Sequence, residues 1–156
     1  MDTHPLIDRR KAAMENVVKT YVVAYVVTLV MFVAIDFIWL SSMIDRLYRP
    51  VMADMLAADF RLAPAIAFYL IYALGLTFLA VRPGLIGESI QTAIVCGAML
   101  GFTAYATYDL TNQATLKNWS TVLTLADLCW GTILSGIAAG CGQSITARLF
   151  GSLTHG

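Results

Sequence analysis

Apolar residues along this chain gather into four long runs, Tyr21–Met43, Leu62–Val81, Ser89–Leu110 and Thr121–Gly142, and most of the charge lies outside them. Each run reaches the roughly 20 helical residues needed to cross the hydrocarbon core of a bilayer. Pro64 falls in the first turn of the second run, where its missing N–H is tolerated. Arg82-Pro83-Gly84 and Gly87-Glu88-Ser89 set a tight turn between the second and third runs. The pattern predicts an all-α membrane protein, a compact bundle of four transmembrane helices with both termini on the same side.

Residues 1–20 form a polar N-terminal tail and residues 143–156 a C-terminal tail. The first apolar run is longer than the about 7–15 residues of a signal-peptide core, so it reads as a retained span. The loop Ile44–Arg61 carries Asp45, Arg46, Arg49, Asp54, Asp59 and Arg61 among Val51, Met52, Met55 and Leu56. Its apolar pairs suit a short interfacial helix as well as a solvated loop.

Composition agrees. Hydrophobic residues make up 59% of the 156 and charged residues 13%, against about 25% charged in a typical soluble domain. Zero net charge leaves no broad basic surface for nucleic acid. Cys96, Cys129 and Cys141 lack Cys-x-x-Cys spacing and read as small buried hydrophobes. Alternate sides of the membrane collect six basic residues (Arg9, Arg10, Lys11, Lys19, Arg82, Arg148) and four (Arg46, Arg49, Arg61, Lys117). That bias places both termini in the cytoplasm.

Three carboxylates break the apolar runs. Asp36 precedes the end of the first by roughly 10 Å, and Asp127 follows the start of the fourth by roughly 9 Å, at a rise of about 1.5 Å per residue. Asp109 lies almost at the end of the third. With alternating spans all three reach the same third of the membrane. Ala93, Gly97, Gly101, Tyr105 and Asp109 recur every four residues, as do Asp127, Gly131, Ser135 and Ala139. Small residues mark close helix approaches, so both stripes are expected to face other helices. The stripe on the first span is bulkier: Tyr25, Thr28, Phe32 and Asp36.

An ionised Asp at the bilayer centre costs about 3 kcal/mol. Protonation, a basic partner or a bound cation would relieve it, and Arg46, Arg49, Arg61 and Lys117 are the bases expected on that side. An internal salt-bridge and hydrogen-bond cluster and a functional pocket both remain open. In the second reading Asp36, Asp109 and Asp127 are the candidate catalytic or cation-holding groups. Tyr108, Asn112 and Thr115 would position a ligand, and Trp39, Trp119 and Trp130 would wall it. An interfacial aromatic belt explains Trp119 and Tyr48 equally simply. Phe68, Tyr69, Tyr72 and Phe78 read as core packing. Asp-x-x-Trp occurs twice, at Asp36/Trp39 and Asp127/Trp130, each pair on one helix face.

The two histidines, His4 and His155, lie in the tails. No haem, diiron or nucleotide motif is present, no metal site is expected, and the cofactor is unknown.

Phe32-Val-Ala-Ile-Asp-Phe-Ile-Trp-Leu40, Gly101-Phe-Thr-Ala-Tyr-Ala-Thr-Tyr-Asp-Leu-Thr-Asn-Gln-Ala-Thr-Leu116 and Thr124-Leu-Ala-Asp-Leu-Cys-Trp-Gly-Thr132 carry a resemblance. With Phe68-Tyr-Leu-Ile-Tyr-Ala73, they resemble the bacterial membrane-protein family numbered 2177 among domains of unknown function. The resemblance runs from about Tyr21 to Gly142 and implies a four-helix protein of the bacterial inner membrane. It implies no reaction. Three functions therefore stand open. One is a membrane-embedded site that binds or acts on a lipid-like or other small molecule. Another is a proton- or cation-coupled transporter. The third is a scaffold that self-associates or joins a membrane-protein partner through Gly97/Gly101 and Gly136/Gly140.

Overall fold

The computed structural model describes residues 4–52, 59 and 61–150. Among them the regular structure is entirely helical, and four helices are long and apolar enough to cross a membrane. We label them α1 (His4–Met43), α2 (Leu62–Leu76), α3 (Ile90–Thr115) and α4 (Thr121–Phe150).

The helices outrun the four apolar runs. α1 begins at His4 and continues through a π-turn, Ile44–Tyr48, and a last turn, Arg49–Met52. The stretch Ile7–Met52 holds 46 residues, about 69 Å of helix against a hydrocarbon core of about 30 Å. It must therefore project beyond the bilayer. The described part of the loop after Met43 thus continues α1, and Asp54, Met55 and Leu56 lie outside the described residues. α2 likewise continues through a π-turn, Thr77–Val81, into the turn Arg82–Ile86, past the Arg82-Pro83-Gly84 break expected from the sequence.

Both π-turns have a cause in the sequence. Each ends at an Arg-Pro pair, Arg49-Pro50 and Arg82-Pro83. A proline inside a helix has no N–H and its ring collides with the carbonyl four residues earlier. Widening the preceding turn relieves that collision, and the N–H groups of Arg49 and Arg82 bond instead to the carbonyls of Ile44 and Thr77, five residues back. The extra residue also rotates the side chains that follow, which matters for Tyr48. The second turn closes with Glu88 at φ 51° and Ser89 capping α3 through Thr92 N–H at 3.2 Å.

Packing follows the small-residue stripes. Ala93, Gly97, Gly101 and Asp109 of α3 are buried, as are Asp127, Gly131, Ser135 and Ala139 of α4. A methyl group on Gly101 would strike the Gly131 carbonyl and Ser135. The seam needs glycine for the backbones to meet. Gly136 and Gly140 also face α3, at Ile94, so both Gly-x-x-x-Gly pairs are occupied within the chain. α1 buries Ala24, Thr28, Phe32 and Asp36 on one stripe, with Gly142 of α4 seated against Thr28. α2 completes a core with Leu76, Ala80 and Val81 beside Phe32, Leu134 and Ala138. Large apolar side chains elsewhere point outward, among them Val26, Val30, Phe37, Ile71, Met99 and Ile133. That outward-facing apolar surface suits contact with acyl chains.

Candidate acid and aromatic site

The two Asp-x-x-Trp segments meet. α1 supplies Asp36 and Trp39, α4 supplies Asp127 and Trp130, and the indole rings stack at 4.3 Å between centroids with 9° between planes. Asp36 accepts a bond from Trp130 Nε1 at 3.0 Å on Oδ1 and from the Tyr69 hydroxyl at 2.8 Å on Oδ2. Asp127 Oδ1 accepts from the Tyr48 hydroxyl at 2.7 Å, and that hydroxyl accepts in turn from Trp39 Nε1 at 3.1 Å. Each tryptophan thus serves the opposite segment's aspartate, one directly and one through Tyr48. The π-turn before Pro50 turns Tyr48 onto Asp127.

Neutral donors therefore hold these two carboxyls; among the described residues neither forms an ion pair. Arg49 pairs with Asp45 at 3.0 Å on the surface. Of the internal cluster expected as one alternative, the hydrogen bonds are present and ion pairs to Asp36 and Asp127 are absent among the described residues.

Asp109 differs. It is wholly buried, at 0% exposure, and neither carboxyl oxygen has a hydrogen-bond partner. It lies close enough to Asp127 for like charges to repel. α3 continues past it to Thr115, so Asp109 sits inside a helix rather than at its end.

A cleft of about 400 Å³ opens between α2 and α3, lined by Phe68, Tyr72, Ala104, Tyr105 and Tyr108. Four of these five are aromatic. Tyr72 shares a 2.8 Å hydrogen bond with Ser135. Tyr105 lies over Gly131, where any larger residue would collide with its ring. Tyr105 thus stands between the cleft and the turn of α4 that follows Asp127.

The remaining candidates are spread around this centre. Tyr108 is half exposed and meets Trp119 edge-on at 5.8 Å, while Trp119 Nε1 donates to Thr124 at 3.0 Å. Asn112 is half buried, one turn beyond Tyr108. Thr115 donates to the Thr111 carbonyl on an exposed stripe with Thr103, Thr107 and Thr111, each hydroxyl bonded one turn back. Back-bonding of this kind satisfies a hydroxyl in apolar surroundings without another helix.

Sequence reasoning missed Tyr48, Tyr69, Tyr72 and Tyr105. A signal was available: a buried tyrosine needs a partner for its O–H, and Asp36, Asp127 and Ser135 supply acceptors to Tyr69, Tyr48 and Tyr72.

These features define a class, a four-span helical membrane protein with an acid and aromatic cluster beside a lateral cleft. The chain belongs to the family described as "Predicted membrane protein (DUF2177)", whose profile matches residues 21–144. No curated protein and no solved structure matches it.

Proposed function

We propose that the protein is a membrane-embedded receptor for a small amphiphilic molecule. The ligand enters sideways from the bilayer between α2 and α3 and lays its apolar part in the cleft. Its polar end meets Tyr105 and the Asp36/Asp127 network. The observation that carries this is the aromatic cleft itself, of about 400 Å³, whose Tyr105 wall lies against Gly131, one turn after Asp127. Apolar walls with a few convergent polar groups are the usual make-up of a ligand site. Trp39 and Trp130 hold the network together, and Tyr108 and Trp119 stand at its rim.

The six-to-four distribution of basic residues supports a bacterial inner-membrane orientation with cytoplasmic termini and the cluster toward the periplasm. Transport has less support. Toward the other end of the bundle the Thr28 and Thr77 hydroxyls bond back to their own helices, at Ala24 and Ala73. The scaffold reading loses its glycine faces, which are occupied inside the chain.

Ala104→Phe, which fills the cleft, tests the proposal. Native mass spectrometry of mildly extracted protein should show a small-molecule adduct on the wild type that the variant lacks at unchanged melting temperature. Equal retention by both, or no adduct on either, would contradict it.

A further inference from the structure

Two other grooves of similar size open on the sides of the bundle, and their walls differ in kind from the cleft between α2 and α3. One lies along α1, about 450 Å³, walled by Leu29, Val30, Val33, Ala34 and Phe37. The other lies between α3 and α4, about 370 Å³, walled by Phe102, Leu125, Leu128, Cys129, Thr132 and Ile133. Each sets a single aromatic ring among aliphatic and small side chains, a lining that suits flexible acyl chains. The cleft, at about 400 Å³, has four rings, Phe68, Tyr72, Tyr105 and Tyr108, beside Ala104. Size does not separate the three. Ring content does.

The rings of the cleft are also braced from behind. Phe68 packs tilted on Tyr69 at 5.2 Å and on Tyr72 at 5.4 Å, and the wholly buried Phe32 meets Tyr72 at 4.9 Å. The Tyr72 hydroxyl is tied to Ser135 at 2.8 Å, and Tyr105 is seated on Gly131. Ala104, one turn before Tyr108, is the one small wall. Walls fixed in this way do not mould themselves around a flexible chain, and such a chain would lose rotamer freedom between them. A flat ring loses little. It also meets neighbouring rings offset or edge-on, with an attraction beyond simple apolar burial. The volume lies near the lower end of the about 300–1,000 Å³ usual for ligand sites, enough for one compact ring system.

We infer that the apolar part of the ligand is a flat, unsaturated ring system, seated between Phe68 and Tyr72 of α2 and Tyr105 and Tyr108 of α3. This rests on the receptor reading above and supplies its ligand class, a ring-bearing amphiphile in place of an acyl lipid. Acyl chains of the bilayer keep the two aliphatic grooves.

The test uses the full chain in phosphatidylcholine nanodiscs and two alcohols of one carbon skeleton, 2-naphthaleneethanol and its fully saturated decahydro counterpart. Hydroxyl, side arm and carbon count are shared, so only the flat ring differs. Binding is read against uptake by empty nanodiscs. The wild type should favour the naphthalene about tenfold, the effect of a few ring contacts. Phe68→Leu, at a position 41% exposed, should cut that preference about threefold. Tyr108→Leu, at 57% exposure, should do the same, and it keeps the inference testable if Phe68→Leu fails to fold. Phe102→Leu removes the ring of the α3–α4 groove and should leave the preference intact. Equal binding of the two alcohols would overturn the ring assignment and leave the receptor reading standing. A preference that falls as far in Phe102→Leu as in Phe68→Leu would do the same. Uptake of both alcohols no greater than that of empty nanodiscs would overturn both.

Discussion

Asp36 and Asp109 are the same residue type, both buried and both on packed helix faces, yet their surroundings are opposites. Asp36 sits between α1, α2 and α4 with a donor on each oxygen, from Trp130 and Tyr69. Asp109 sits on the α3–α4 seam with no donor at all. The first carboxyl is part of the architecture, because removing it would strand two partners. The second contributes nothing visible to folding. Buried polar groups are normally satisfied, and one that is not calls for a reason outside the fold.

The seam beneath Asp109 gives the largest expected effect. Gly101→Val would drive side-chain atoms into the Gly131 carbonyl and Ser135, both of which are fixed by α4. Overpacking of this kind costs about 3 kcal/mol or more when backbone must move. The expected outcome is loss of the monodisperse folded peak on size exclusion, and a variant of wild-type stability would show that the α3–α4 approach is looser than described.

At the other extreme lies the exposed threonine stripe. Thr107 bonds to the Thr103 carbonyl on its own helix, so Thr107→Val removes donor and need together. Its melting temperature should stay near that of the wild type, with a change below about 0.5 kcal/mol. A larger loss would reveal a partner for this face, and the carboxyl contrast would then no longer be the main feature of α3.

Much of this fold could be read in the sequence because a bilayer imposes length and apolarity on every span, and small residues at every fourth position mark the seam. The spacing of Ala93, Gly97, Gly101, Gly131, Ser135 and Ala139 marked faces turned toward other helices, but that the two stripes meet each other is seen only in the structure. The convergence of Asp36 and Asp127 followed from span alternation, since depth along a helix is simply residue count times rise. The partners of the acids did not follow. Tyr48 reaches Asp127 only because the helix widens before Pro50, a shift of register that a regular 3.6-residue count cannot supply. Tyr69 and Tyr72 share a helix face with Phe68, so periodicity could not separate hydrogen-bonding rings from packing rings. The reciprocal use of the two Asp-x-x-Trp segments needed the antiparallel crossing of α1 and α4, which spacing does not encode.

The decisive comparison is the pair Asp36→Ala and Asp109→Ala, unfolded reversibly in the same lipid. Stranding the Trp130 and Tyr69 donors should make Asp36→Ala about 2–4 kcal/mol less stable than the wild type. Asp109→Ala strands nothing and should fall within about 1 kcal/mol of it, on either side. Equal losses, or a greater loss at Asp109, would mean that this carboxyl too holds the bundle together.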